Sequence, residues 1–138
     1  MTQEIKTAHS TQEVAARFDE LAQQEKWFEI QDEFFAENVR SIEPSHSPYL
    51  KNAAGKGLVR KKGEDFVKNI DVVHKLHTTH PVVAGNHFAV GRIQDVTVNG
   101  LGRVTINQIM MYEVKDGKII NVWLFSDDQE KEDGFWGR

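Results

Sequence analysis

The chain of 138 residues contains no cysteine, which excludes disulfides, thiolate nucleophiles and Cys-ligated zinc. It also lacks an apolar run long enough to span a membrane, and its first residues, MTQEIKTAHS, hold no stretch of signal-peptide length. The expectation is a cytoplasmic protein with no membrane partner. Basic charge is short as well: 17 Lys and Arg against 21 Asp and Glu leave a formal net charge of -4. The one basic cluster, Arg60-Lys61-Lys62, is followed by Glu64 and Asp65, so it reads as a solvated helix face rather than a phosphate-binding patch. Nucleic acid is therefore not expected as a partner. No phosphate-binding glycine loop or dinucleotide fingerprint is present, and Gly55-Lys56-Gly57 is too short to count. No cofactor is expected.

What is present fits one soluble globular domain over residues 1–138, with 39% hydrophobic and 28% charged residues. For the tail, 127–138, two readings stand: a loosely ordered terminus, or Phe135-Trp136 packed on a partner subunit or across the mouth of a pocket. In STQEVAARFDELAQQEKW, Ser10 followed by Glu13 is a capping-box pattern. Val14, Phe18 and Leu21 recur at helical spacing behind it, which predicts a helix over about 11–25. Trp27, Ile30 and Phe34 share a face and predict a shorter helix over about 27–36. Val39 to Glu43 reads as a short strand stopped by the prolines of PSHSP, and residues 44–57 as a loop. Leu58, Val59, Phe66, Val67, Ile70 and Val73 predict a third helix, with Gly63 as its weak point. The remainder is strand-like: 76–84 broken at Pro81, then 87–98, 103–114 and 119–125, with turn signals at Asn99-Gly100 and at Asp116-Gly117. Helices followed by a meander make an α+β plan.

Three stretches carry a family resemblance through their order and spacing: FAENVRSIEP, HFAVGRIQDVTV and YEVKDGKIINVWLF. Over about residues 10–126 the chain resembles the SnoaL-like branch of the ketosteroid-isomerase-like, or nuclear-transport-factor-two-like, superfamily. The resemblance implies a cystatin-like α+β barrel. This is a cone-shaped, curved antiparallel sheet of about four long strands and one short, wrapped by three N-terminal helices. It implies a pocket in the open end, a small hydrophobic molecule as ligand, and a homodimer formed through the outer sheet face. Relatives include isomerases, cyclases, dehydratases and proteins with no catalysis, so the fold settles little about activity.

In ketosteroid isomerases the general base is a carboxylate immediately before a proline, and the matching position is Glu43 before Pro44. A carboxylate there can move a proton beside a carbonyl when burial raises its pKa towards neutrality. The family's first-helix tyrosine falls on Phe18 or Asp19, and its third-strand aspartic acid on Met110. Neither Phe18 nor Met110 donates a hydrogen bond, so the usual oxyanion hole is missing. Strand alternation offers another polar set. If Met110 faces the pocket, so do Gln108 and Tyr112 on the same strand, Leu124 on the last strand and, by matching parity, Gly91, Ile93 and Asp95 on the preceding one. The candidate catalytic residues are thus Glu43 and Asp95. The candidate ligand-binding residues are Trp27, His46, Gln108, Met110, Tyr112 and Leu124. The blander readings are an ordinary strand-end acid for Glu43, an ion pair with Arg92 or Arg103 for Asp95, and core packing for Tyr112. His74, His77 and His80 stand three apart, which alternates faces on a strand and aligns two at most on a helix end, so no metal site is expected. An isomerase, cyclase or dehydratase with Glu43 as base is one expectation; a non-catalytic ligand-binding, dimerisation or accessory domain is the other.

Overall fold

Four helices and seven strands follow one another in the described residues, 9–43 and 52–136, of the computed structural model. Helix α1 (Thr11–Gln23) starts where the capping box places it: the Ser10 hydroxyl accepts from the Glu13 N–H, and the Glu13 carboxylate accepts from the Ser10 N–H. Its apolar stripe, Val14, Ala15, Phe18, Leu21 and Ala22, is buried. Helix α2 (Trp27–Phe34) passes straight into strand β1 (Phe35–Ile42). After the two-residue β2 (Ala53–Ala54) comes α3 (Lys56–Asn69).

Helix α3 ends earlier than the helical spacing predicts. Ile70 and Val73 lie on strand β3 (Ile70–Thr78) instead. The β-branched Ile70, Val72 and Val73 are stiff at χ1 and suit an extended chain better than a helix. The glycine that weakens the helix on paper has a packing role. A Cβ at Gly63 would stand 3.2 Å from the Phe28 ring, so α3 crosses α2 where no side chain intervenes.

Strands β4 (Val82–Ala84), β5 (His87–Val98), β6 (Gly102–Lys115) and β7 (Lys118–Ser126) complete the sheet in the order β2-β1-β7-β6-β5-β3, with β4 beside β5. The expected all-antiparallel sheet needs one correction. Strand β1 runs parallel to β7, because the chain reaches it from the helices rather than through a hairpin. The sheet is therefore mixed and does not close. Register shifts within β1–β7, β3–β5 and β6–β7 bend it around the helices.

The tail takes the packed alternative. Residues Gln129–Trp136 form a fourth helix, α4, capped where the Asp128 carboxylate accepts from the Lys131 N–H. Phe135 and Trp136 are 4% and 3% exposed. They pack with Val96, Val98, Val104 and Ile106 into a second apolar cluster, distinct from the main one under α1 and α2. No helix among the described residues is long and apolar enough to cross a membrane.

Candidate functional site

A cavity of about 720 Å³ lies between the inner face of the sheet and the helices, walled by members of both apolar clusters, among them Phe18, Ile30, Val96, Ile106 and Trp136. That size suits a small organic molecule. Five of the residues singled out from the sequence, Trp27, Gln108, Met110, Tyr112 and Leu124, line it, and Glu43 joins them. His46 lies outside the described residues.

Strand β1 delivers Glu43. The Glu43 N–H donates to Asn52 Oδ1 at 2.8 Å, which fixes the strand end, and the residue is only 8% exposed. Lys62 reaches in from α3, with Nζ 3.1 Å from Glu43 Oε2 and donating at 3.1 Å to Ser41 Oγ. The lysine is close enough for an ion pair, yet Oε2 accepts no directed hydrogen bond among the described residues. The Lys62 attraction is thus mainly Coulombic. Burial dominates and pushes the Glu43 carboxyl up to about 7, against the opposing pull of Lys62. Sequence reasoning placed Lys62 on a solvated face. Its neighbours Arg60 and Lys61 do pair with Asp32 and Asp65 at the surface, while Lys62, one position further round the helix, turns inwards.

Asp95 is not in the site. It lies on the outer face of the sheet, joined to Arg103 by two hydrogen bonds of 2.9 Å, and this ion pair holds its carboxyl below the usual range. The error lies in the turn. A two-residue turn at Asn99-Gly100 would pair Val98 with Leu101 and bring Asp95 to the same face as Gln108. The actual loop holds three residues, Asn99 to Leu101. It uses left-handed glycines at Gly100 (φ 77°) and Gly102 (φ 99°), so that Val98 pairs with Gly102. One added residue inverts the facing of all of β5 relative to β6. Gln108 is paired with Arg92 and Ile106 with Gln94, and it is Arg92 and Gln94 that enter the cavity.

Arg92 is the main site residue that sequence reasoning missed. Its guanidinium donates to Gln108 Oε1 at 3.1 Å and lies 5.6 Å from the centre of the Trp27 ring. With the Gln94 amide oriented so that its oxygen faces the guanidinium, Gln94 accepts from Arg92 Nη2 at 2.9 Å and Nε at 2.5 Å. The residue retains some accessible surface although it lies deep in the fold, since that surface borders the cavity. Burial lowers its pKa. Gln108 passes the connection on: its Nε2 donates to Glu132 Oε1 of α4 at 2.9 Å. Burial raises the Glu132 pKa, and its Oε2 has no hydrogen-bond partner among the described residues.

Tyr112 is both wall and core. It stacks on Phe88 at 4.9 Å, packs against Phe18 at 4.8 Å, and donates its hydroxyl to Met110 Sδ at 3.4 Å. Burial raises its pKa. Phe18 lines the cavity, whereas Asp19 pairs with His80 at the surface, 2.8 Å away. His74 lies on β3, not at a helix end, and bonds Thr97 Oγ1 at 2.7 Å. Among the described residues no group of three or more His, Asp or Glu is arranged to hold a metal. On the outer sheet face Ile109 is 57% and Phe125 45% exposed, paired across β6 and β7, with Trp123 paired to Met111 beside them.

The model of the SnoaL-like domain family matches residues 9–126. Among solved structures, a Mesorhizobium loti protein assigned as a SnoaL-like polyketide cyclase [carbohydrate phosphatase] is 30% identical, with a TM-score of 0.79 over 85% of this chain and 99% of that one. A Xanthomonas campestris protein of unknown function with a cystatin-like fold is 20% identical, with a TM-score of 0.73 over 94% and 100% of the two chains. A Burkholderia thailandensis protein of the nuclear-transport-factor-two-like fold is 12% identical, with a TM-score of 0.74 over 91% and 98%. The last two show the fold alone. No curated protein matches the sequence.

Proposed function

The chain belongs to the SnoaL-like domain family, and on that premise we propose that it binds a small, mostly apolar molecule in the cavity and moves a proton on it, with Glu43 as the general base. The observation that carries this reading is Glu43 itself: a carboxyl 8% exposed, opening into an apolar cavity, with its pKa raised by burial to about 7. A base poised there is half ionised at neutral pH and strong enough to take a proton from a carbon next to a carbonyl. Glu43 would take that proton, the C–H electrons would move onto the carbonyl oxygen, and the enolate would collapse by reprotonation elsewhere or by loss of a leaving group. The walls formed by Trp27, Met110, Tyr112 and Leu124 would orient the ligand, and Gln108 would supply a polar contact.

A test that needs no knowledge of the substrate is the elimination of 5-nitrobenzisoxazole. In that reaction a base removes the ring C–H proton, the N–O bond breaks, and a coloured cyanophenolate forms. Wild-type protein should accelerate the reaction with a rate rising through a midpoint near pH 7, and Glu43→Gln should lose roughly 10²-fold or more of that acceleration. Equal rates in the two proteins would remove Glu43 as base.

A second reading, ligand binding without turnover, draws on the Tyr112 hydroxyl. Its hydrogen bond goes to Met110 Sδ, so it is not held ready for a developing oxyanion. A saturable ligand that protects the protein but is never converted favours that reading. A homodimer built on the outer face around Ile109, Met111, Trp123 and Phe125 completes the proposal.

A further inference from the structure

The charges around the cavity do not balance pairwise. Lys62 stands 3.1 Å from Glu43. Arg92 has no carboxylate within ion-pair distance among the described residues, and its partners, Gln108 and Gln94, are neutral side-chain oxygens. The acids that face it, Glu43 from the end of β1 and Glu132 from α4, influence it only at longer range, as does the Tyr112 hydroxyl. A buried guanidinium ordinarily sits against a carboxylate, since an uncompensated charge in an apolar interior is costly. Here the two glutamines occupy Nε and Nη2, while Nη1 meets no hydrogen-bond partner among the described residues. The two glutamines and the Trp27 ring hold the guanidinium plane in place, so its free edge is presented to the cavity in a fixed orientation.

We propose that Arg92 is the anchor for an anionic oxygen of the ligand, and that the natural ligand is an apolar molecule carrying one carboxylate, held at the Arg92–Gln94–Gln108 end of the cavity with its apolar body along Trp27, Met110 and Leu124. The ligand's carboxylate supplies the missing counter-charge, in a site dry enough for a charge-assisted hydrogen bond to count. Gln108 sets the direction of approach: it accepts from Arg92 and donates to Glu132, which fixes its amide and leaves the guanidinium's remaining donors for the ligand. The proposal deepens the pocket reading above, and it does not depend on Glu43 being a base.

The probes are 2-naphthoate and its neutral analogue 2-naphthamide, titrated calorimetrically or by ligand-observed NMR at pH 7.5. Wild-type protein should bind the carboxylate roughly tenfold or more tighter than the amide, the scale of one charge-assisted hydrogen bond. Arg92→Lys should keep part of that preference, and Arg92→Gln should abolish it. Lys62→Met should keep it, which separates Arg92 from the other cation of the cavity. An amide bound as tightly as the carboxylate by wild-type protein, no saturable binding of the carboxylate, or a preference lost in Lys62→Met and kept in Arg92→Gln, would each overturn the assignment. The wild-type comparison stands even where a variant does not fold. Glu43→Gln should retain the carboxylate preference, so loss of the elimination activity and loss of anion recognition are separable results.

Discussion

Replacing Glu43 with Gln should change how stability depends on pH, and the size of the change follows from the burial of one carboxyl group. The folded-state pKa is about 7 against an ordinary value of 4.5, raised chiefly by burial and restrained by Lys62. The folded protein therefore binds this proton more tightly than the unfolded chain does. Between pH 4.5 and 7 the folded state is the more protonated, so stability falls as pH rises through that window and levels off above it. A shift of about 2.5 units at 1.36 kcal/mol per unit corresponds to about 3 kcal/mol lost by the wild type between pH 4.5 and 8. Glutamine has no proton to lose, so the variant lacks this contribution. Urea denaturation of both proteins at pH 5 and pH 8 is the assay. Relative to wild type, Glu43→Gln should gain about 2–3 kcal/mol on going from the lower to the higher pH, whatever constant offset the altered Lys62 contact introduces. Glu132, whose pKa is also raised, acts in the same direction and is present in both proteins. A stability difference that is the same at both pH values, or a Glu43 carboxyl that titrates near 4.5 by carbon-13 NMR, would refute the reasoning, because burial would then be failing to hold the proton.

Two further outcomes follow from the arrangement of the sheet. Asp95→Asn should leave the denaturation midpoint and the elimination of 5-nitrobenzisoxazole unchanged, because Asp95 is paired with Arg103 on the outer face and exposed pairs contribute little; a loss of elimination activity would place it back in the site. Sedimentation at micromolar concentration should show two chains per particle, with Phe125→Lys giving monomers, since Phe125 sits beside Ile109 at the centre of the exposed outer patch; a monomeric wild type would count against the dimer.

The two hairpins explain why the site was only partly legible. At Asp116-Gly117 the turn has two residues, both left-handed (φ 51° and 76°), and Lys115 pairs with Lys118. Continued unbroken, that register would pair Met110 with Trp123; the shift between Glu113 and Val114 adds one residue on β7, so Met110 pairs with Leu124, and Leu124 lines the cavity with Met110 and Tyr112. At Asn99-Gly100 the dipeptide is just as strong a turn signal, but Leu101 joins the loop and packs against the second apolar cluster. Both outcomes are compatible with local propensity, and they differ by one residue in register. The alternation of β5, with small or polar residues at Gly91 and Asp95 and large ones at Val90 and Val96, held a clue to its true inner face. Arg92 on that same face concealed it, since a buried arginine reads as a surface residue.

Local physics in the sequence was enough to determine the helix starts, the three long strands, and an acid before a proline at a strand end. Those features depend on side-chain period, capping and backbone preference among near neighbours. Only the tertiary structure decided that β1 lies parallel to β7, that the tail turns into α4 and brings Glu132 and Trp136 to the cavity, and that Lys62 and Arg92 face inwards. Each of those depends on groups far apart in the chain: desolvation of Glu43 by the whole fold, register set by a loop length, and a charge buried beside neutral amides. Such energies exist only once the chain has closed around them, so no local pattern can encode them.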